Sequence, residues 1–364
     1  MLIKIYKILY NKSNKMILNK VEYKNYVNYW LGSLLICLIV IVIVGGLTRL
    51  TDSGLSITKW EIVSGILPPL SQNGWNRVFD LYKEIPQFSL LNSDMSLAEF
   101  KIIYYWEYIH RLLGRLFGLI FLIPFIFFVY KKVFKKEFNI KFLILFLLIL
   151  FQGFIGWYMV KSGLIENTTV SHYRLAIHLN LALILFTCIL WYFLNIKNNT
   201  NKYFFNFNKS NIYIKIFIIL IFLQITLGAF TSGLDAGNIY QTWPSMNNNF
   251  FPDDVLLIDL FSLNLFSEPS IVQFLHRNIA YLIFLYMLGM SFFYIFIKKE
   301  KYLYNALYFV ITMVFVQIIL GIFTLISGLN IYLASFHQIG SIFLVSSSIY
   351  TLFCVNNEQN LIDS

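Results

Sequence analysis

The sequence predicts an all-α polytopic membrane protein: eight transmembrane helices arranged as two pseudo-repeated four-helix bundles, with both termini inside. Three observations carry this reading. The 364 residues are 58% hydrophobic and only 13% charged, whereas soluble domains carry about 25% charged residues. One water-soluble core cannot hide that much apolar surface. Eight stretches reach the roughly 20 apolar residues that a bilayer span needs. The lysines, finally, cluster in every second connection between those stretches.

The spans are expected near 28–47, 106–130, 140–160, 174–194, 212–230, 274–297, 303–326 and 334–355. Within lipid each must be a helix, because every backbone polar group needs an internal partner. The runs are too evenly apolar for barrel strands, which alternate. Before span one stand Lys4, Lys7, Lys12, Lys15, Lys20 and Lys24 against Glu22. Lys131, Lys132, Lys135, Lys136 and Lys141 lie between spans two and three. Lys197, Lys202, Lys209 and Lys215 lie between four and five, and Lys298, Lys299 and Lys301 between six and seven. That puts 18 of the 28 basic residues on one side, which the positive-inside rule makes cytoplasmic. Residues 1–27 hold Lys but no Arg and no cleavage-like site, so they are expected to form a cytoplasmic tail rather than a signal peptide or presequence. The expected organisation is a basic tail (1–27), an N-terminal bundle (28–194), a cytoplasmic linker (195–211), a C-terminal bundle (212–355) and a cytoplasmic tail (356–364).

All six arginines (49, 77, 111, 115, 174 and 277) fall on the other, outer side. The planar fork of Arg suits carboxylates and phosphates, which points to a site there for anionic groups. Lipid headgroups or loop ion pairs would explain the bias equally well. The net charge of +10 is not gathered into a groove-like patch, so no nucleic acid is expected as a partner. Cys37, Cys188 and Cys354 form no CxxC pair and suggest neither a zinc site nor a disulfide framework.

Spans three and seven share a signature: Gln152 to Gly156 with Ser162-Gly163-Leu164, and Gln317 to Gly321 with Ser327-Gly328-Leu329. Span five carries it as Gln224, Gly228 and Ser232-Gly233-Leu234. Span one has a degraded form, Gly45-Gly46-Leu47 with Ser53-Gly54-Leu55. Each even span that follows carries a histidine near its start: His110, His178, His276 and His337. The unit is a helix pair repeated four times or a four-helix bundle repeated twice, and such repeats build sites at the bundle interior.

Ionisable residues within a membrane are costly and usually functional. One histidine is readily a core residue bonded to Ser or Thr; four in register are harder to explain so. Two imidazoles facing across a flat macrocycle make a haem site, with the bundle supplying apolar walls. The pairs expected are His110 with His178 and His276 with His337. A zinc site would want three or four close ligands. A di-iron cage would want several inward Glu, yet only Glu107-Tyr108-Ile109-His110 has the Glu-x-x-His form, against Gln273-Phe274-Leu275-His276. All four His lie near the outer ends, so both haems would share one depth and suit side-by-side transfer.

Propionates would then face the outer water, with Arg49, Arg111, Arg174 and Arg277 as candidate partners. Neighbours on a helix point about 100° apart, so Arg111 and Arg277 could serve an adjoining element instead. His172 has no repeat counterpart and reads as a loop residue or a competitor of His178. Glu107, one turn from His110, could exchange protons in apolar surroundings. Neutral Gln273 could only hydrogen-bond. The first bundle thus reads as reactive and the second as a passive electron carrier.

At this point a family resemblance is visible. The run Gly45-Gly46-Leu47-Thr48-Arg49-Leu50-Thr51-Asp52-Ser53-Gly54-Leu55-Ser56, the later Trp60 and Pro68-Pro69, and Glu107-Tyr108-Ile109-His110-Arg111 resemble the haem A synthase family. So do Tyr173-Arg174-Leu175-Ala176-Ile177-His178, Asp235-Ala236-Gly237 with Trp243-Pro244, and Phe274-Leu275-His276-Arg277, in order over about residues 28–355. The resemblance implies an oxidoreductase that converts the C8 methyl of haem O to the formyl group of haem A, by two hydroxylations and a dehydration, for cytochrome c oxidase. It implies haem b as cofactor on His276 and His337, haem O as substrate on His110 and His178 near Glu107, and delivery by haem O synthase. Some members carry a Cys pair in the first outer loop; here Thr48 to Tyr105 has none, as in the cysteine-less proteobacterial and mitochondrial branch. A bacterial inner membrane is therefore expected, with the mitochondrial inner membrane as the alternative. The electron donor is not identified, and a homo-oligomer is left open. A membrane-bound b-type cytochrome would need the histidines but not Glu107. A transporter with inverted repeats would need polar residues but not four His at one depth.

Overall fold

The computed structural model describes residues 17–59, 64–164, 168–205 and 211–356. Among them are eight helices long and apolar enough to cross a membrane, and no strand beyond isolated bridges. They are α1 (Lys24–Leu50), α2 (Leu97–Tyr130), α3 (Lys136–Gly163), α4 (His172–Lys197), α5 (Ile212–Gly233), α6 (Pro269–Phe292), α7 (Tyr304–Ile326) and α8 (Ile331–Val355). The expected all-α polytopic membrane protein is thus found. Lys4, Lys7, Lys12 and Lys15 of the expected tail, Lys209 of the linker, Trp60 of the family-like run and residues 357–364 lie outside the described residues.

The helices are apolar on every face. Ile123, Leu147, Leu285 and Phe296 are each more than half exposed, which suits lipid rather than water. Their ends overrun the spans expected from hydropathy, because caps rather than apolarity set a helix end. α2 begins at Leu97 instead of near 106. There Ser96 Oγ accepts from Glu99 N–H while the Glu99 carboxylate accepts from Ser96 N–H. α8 begins where Asn330 Oδ1 accepts from the N–H groups of Tyr332 and Leu333.

α1 packs against α2 and α4, α3 against α4, α5 against α6, and α7 against α8. Between these groups, α4 lies on α5, and α8 on α1, α4 and α5. One core is built on Trp30, whose ring meets Phe121, Phe128, Phe134 and Phe142 and whose Nε1 donates to Ile120 O at 2.9 Å. The other gathers Phe217, Met287, Tyr294, Leu307 and Leu352. Both cores fill the end where the odd helices start. The opposite end is left to the histidines.

That end carries a cap the hydropathy does not register. Between α1 and α2 run two short helices, Gln72–Lys83 and Pro86–Leu91. Ser71 Oγ caps the first by accepting from Gly74 N–H at 3.1 Å. Its Trp75, Phe79 and Tyr82 pack with Leu55, Phe100, Tyr104 and Val170. The helical spacing of those three aromatics is the signal in the sequence.

Candidate functional site

Each of the four expected histidines rests on a glycine of the helix before it. An added Cβ at Gly45 would lie 2.7 Å from His110 Cε1, and at Gly156 2.8 Å from His178 Cε1. At Gly228 it would lie 3.2 Å from His276 Cε1, and at Gly321 3.1 Å from His337 Cε1. Only a bare backbone lets the ring approach so closely. One turn before each glycine stand Ile41, Gln152, Gln224 and Gln317. The rings of His110, His276 and His337 hydrogen-bond to the backbone of Ile41, Gln224 and Gln317 respectively. Gln152 Nε2 lies 3.2 Å from His178 Nδ1 and donates to its carbonyl at 3.0 Å. Gln224 Nε2 donates likewise to the His276 carbonyl at 3.0 Å. The Gln-to-Gly signature thus has a physical meaning: the glycine admits the ring and the turn before it orients the ring.

The rings meet in two pairs. His110 and His178 have centroids 6.5 Å apart with planes at 72°; His276 and His337 are also 6.5 Å apart, at 85°. A metal held between two imidazoles by bonds of about 2 Å each would put the ring centroids about 6 Å apart. Nδ1 of His110, His276 and His337 is buried with no hydrogen-bond partner among the described residues, a costly state for a polar atom. One ring nitrogen on a backbone carbonyl with the other bare is how a metal-ligating imidazole is oriented. The described residues gather no group of three or more His, Cys, Asp or Glu that could hold a metal. The donor sets are pairs, which suit two axial positions rather than a cage.

The two halves differ beside their pairs. Glu107 is 3% exposed, and its carboxylate is fully engaged. Oε2 accepts from Ser56 Oγ at 2.7 Å and Ile57 N–H at 2.8 Å, and Oε1 accepts from Arg111 Nη2 at 2.5 Å. Arg111 Nη2 also donates to Ile57 O at 3.1 Å. In the second half Gln273 Nε2 donates to Tyr240 O at 2.8 Å, and Arg277 donates to the carbonyls of Tyr240, Thr242 and Ser245. Either way the pair three residues before and one residue after the histidine ties the preceding loop to the helix. Ser56 stood in the sequence only as the end of the family-like run and Ile57 not at all, because nothing local marks a loop hydroxyl as the partner of a carboxylate so far along the chain.

The second loop is fixed further by Tyr240, whose hydroxyl lies 2.5 Å from Asp253 Oδ1 and 2.7 Å from Asp254 Oδ1. Burial, then the two carboxylates, push that hydroxyl well above the ordinary phenol range. Burial pulls the Asp254 carboxyl up, but hydrogen bonds from Ser270 and Tyr240 outweigh it and hold the group below its usual value.

Arg49 spans the two halves: it pairs with Asp52 at 2.6 Å and Asp235 at 2.8 Å and donates to Ser232 O at 2.6 Å. Arg174 lies over the Tyr158 ring, 4.9 Å from its centroid. His172 is placed away from the pairs, against Phe230 at 5.3 Å and Gly233. A cavity of about 620 Å³ opens at Arg111, between the loop at Ile57 and the α3 residues Gly153, Trp157 and Lys161; neither histidine of the first pair lines it. Its walls are mostly apolar with two cations, a composition that suits an amphipathic carboxylate.

The sequence matches the family model COX15-CtaA, described as cytochrome oxidase assembly protein, over residues 28–349. It is 49% identical over 345 residues to a heme A synthase of Pelagibacter ubique, covering 94% of this chain and 100% of that one. It is 39% identical over 335 residues to a heme A synthase of Flavobacterium johnsoniae, covering 89% and 96%. It is 40% identical over 338 residues to a heme A synthase of Rickettsia africae, covering 92% and 99%.

Proposed function

The chain belongs to the COX15-CtaA family of cytochrome oxidase assembly proteins, and from that premise we propose that it completes haem A. It oxidises the C8 methyl of haem O to a formyl group by two successive hydroxylations and a dehydration, for cytochrome c oxidase; each hydroxylation takes one atom of a dioxygen molecule, while two donated electrons and two protons turn the other into water. The observation that carries the reading is the pair of His–His sites at 6.5 Å, one beside a carboxylate and one beside an amide. Haem fits these donor sets: facing imidazoles, bare ring nitrogens and glycine cradles.

In this reading His276 and His337 hold haem b, which supplies reversible storage of single electrons. Gln273 and Arg277 do no proton chemistry there; they clamp the loop that shields the pair. His110 and His178 hold haem O, and the cavity bordering Arg111 and Trp157 gives the substrate its room. In haem the oxidised methyl and one propionate sit on the same pyrrole ring. A site that anchors the propionate therefore brings the methyl to the same edge, near Glu107. Of the four arginines, Arg174 is best placed for a propionate, since its described contact is an aromatic face. Arg49, Arg111 and Arg277 already hold carboxylates or loop carbonyls. Haem O synthase supplies the substrate, a one-electron donor outside the chain reduces haem b, and the protein sits in a bacterial inner membrane as two related four-helix bundles.

The test is the haem content of the purified protein. Haem b with haem O or haem A supports the synthase. Haem b alone favours an electron carrier of the b type, and no haem removes both.

Orientation carries its own expected outcome. With the lysine-rich connections in the cytoplasm, a reporter fused after Lys136 should read cytoplasmic and one in the 235–268 loop external. The reverse pattern would move the His-bearing end to the cytoplasm and overturn the outer-side placement of the site.

A further inference from the structure

α1 differs from the other odd helices in carrying two adjacent glycines, and the histidine contact explains only Gly45. At the positions after the histidine-bearing glycines, α3, α5 and α7 have Trp157, Ala229 and Ile322, so the bareness of Gly46 is not demanded by the repeat. Gly46 lies against α8, where an added Cβ would sit 1.7 Å from Gln338 Oε1 and 2.6 Å from Nε2. Gln338 Nε2 donates to Val42 O at 3.1 Å. Ile41 and Gly45 meet His110, while Val42 and Gly46 meet Gln338. One turn of α1 thus serves two faces about 100° apart. Gln338 directly follows His337 in the chain. The two pairs are therefore joined through neighbouring residues: His337, Gln338, Gly46, Gly45, His110.

Resting on the two-site reading above, we propose that Gln338 and Gly46 are positioning residues that couple the two haem sites for electron transfer. They lock α8 onto α1 so that a path of fixed length runs from His337 to His110 through two hydrogen bonds, Gln338 to Val42 O and His110 to the Ile41 backbone. The transfer would be of one electron, from the group that His276 and His337 would hold to the group that His110 and His178 would hold, with no proton or bond changing hands. The halves also touch where Asn180 Nδ2 donates to Thr226 Oγ1 at 3.0 Å. Asn180 and Thr226 each stand two residues from the nearest site residue, His178 or Gly228, so that crossing offers a longer detour. The Arg49–Asp235 contact joins the halves without an adjoining histidine.

The experiment uses the purified full chain loaded with both haems and oxidised. A photochemical pulse injects one electron, and absorbance follows its equilibration between the haems. Gln338→Leu removes the bond to Val42 O but fills the space, and Gly46→Ala pushes the side chain off α1. Both should keep the spectra and midpoint potentials of both haems while equilibration slows severalfold. Asn180→Leu, which breaks the crossing to Thr226, should keep the wild-type rate. An unchanged rate in Gln338→Leu overturns the proposal, and it decides the matter if Gly46→Ala does not fold. Equal slowing in Asn180→Leu and Gln338→Leu also overturns it, since general loosening of the halves would then be the cause. Wild-type protein that takes up fewer than two haems would overturn the two-site reading itself, before any variant is compared.

Discussion

Replacing His276 or His337 with alanine is expected to abolish the low-spin haem b absorption of the purified protein. Each ring is one of two donors in its pair, and no third His, Cys, Asp or Glu among the described residues joins it to compensate. The ring is held by a backbone hydrogen bond and a glycine seat, which means that its loss leaves bare space rather than a substitute. Disturbing an orienting partner of a metal ligand typically costs 10–100-fold in affinity; removing the ligand costs more. The helices should still form, because the Phe217 and Met287 core lies at the far end of the bundle. His110→Ala is the internal comparison: it should keep haem b and lose the substrate haem. If His276→Ala and His337→Ala both retain full haem b with an unchanged spectrum, the second half is not its seat.

Much of this site was legible in the sequence because its constraints are local. A histidine near the start of each even span and a glycine near the end of each odd one are short-range features, and the structure brings each such pair into contact. The helices were legible from apolar length, while their ends were not, since Ser96 and Asn330 fix them by hydrogen bonding. The arginines were only half legible. Charge type marks a preference for anions, but whether Arg277 meets a ligand or the carbonyls of its own loop depends on how residues 240–245 fold back. Least legible was the contact of Gln338 with Val42, which are 296 residues apart in the chain. No periodicity announces a contact at that separation; the second glycine of α1 was its one trace.

Glu107→Gln should leave folding, haem b and haem O binding largely intact and lower conversion to haem A by roughly 10²–10⁴-fold, the usual worth of a positioned acid or base. Hydroxylating a methyl with dioxygen and donated electrons draws protons into an apolar cavity, and Glu107 is the carboxylate one turn from a substrate ligand. Glutamine keeps an oxygen for Ser56 and Ile57 but turns an amide against Arg111, where the carboxylate now accepts at 2.5 Å. Breaking a buried ion pair typically costs about 3–5 kcal/mol, so a purely structural role has a definite signature: a loosened 56–57 loop and reduced haem binding. The second half argues against so large a disturbance. There Gln273 and Arg277 share the Tyr240 carbonyl at 2.8 and 2.9 Å, which shows that an amide and a guanidinium can clamp one loop together. Haems extracted from cells expressing the variant separate the outcomes. Haem O accumulating with haem b intact is the catalytic result. Normal haem A from Glu107→Gln would remove the proton role, and loss of both bound haems would make the carboxylate an anchor for Arg111 and its loop.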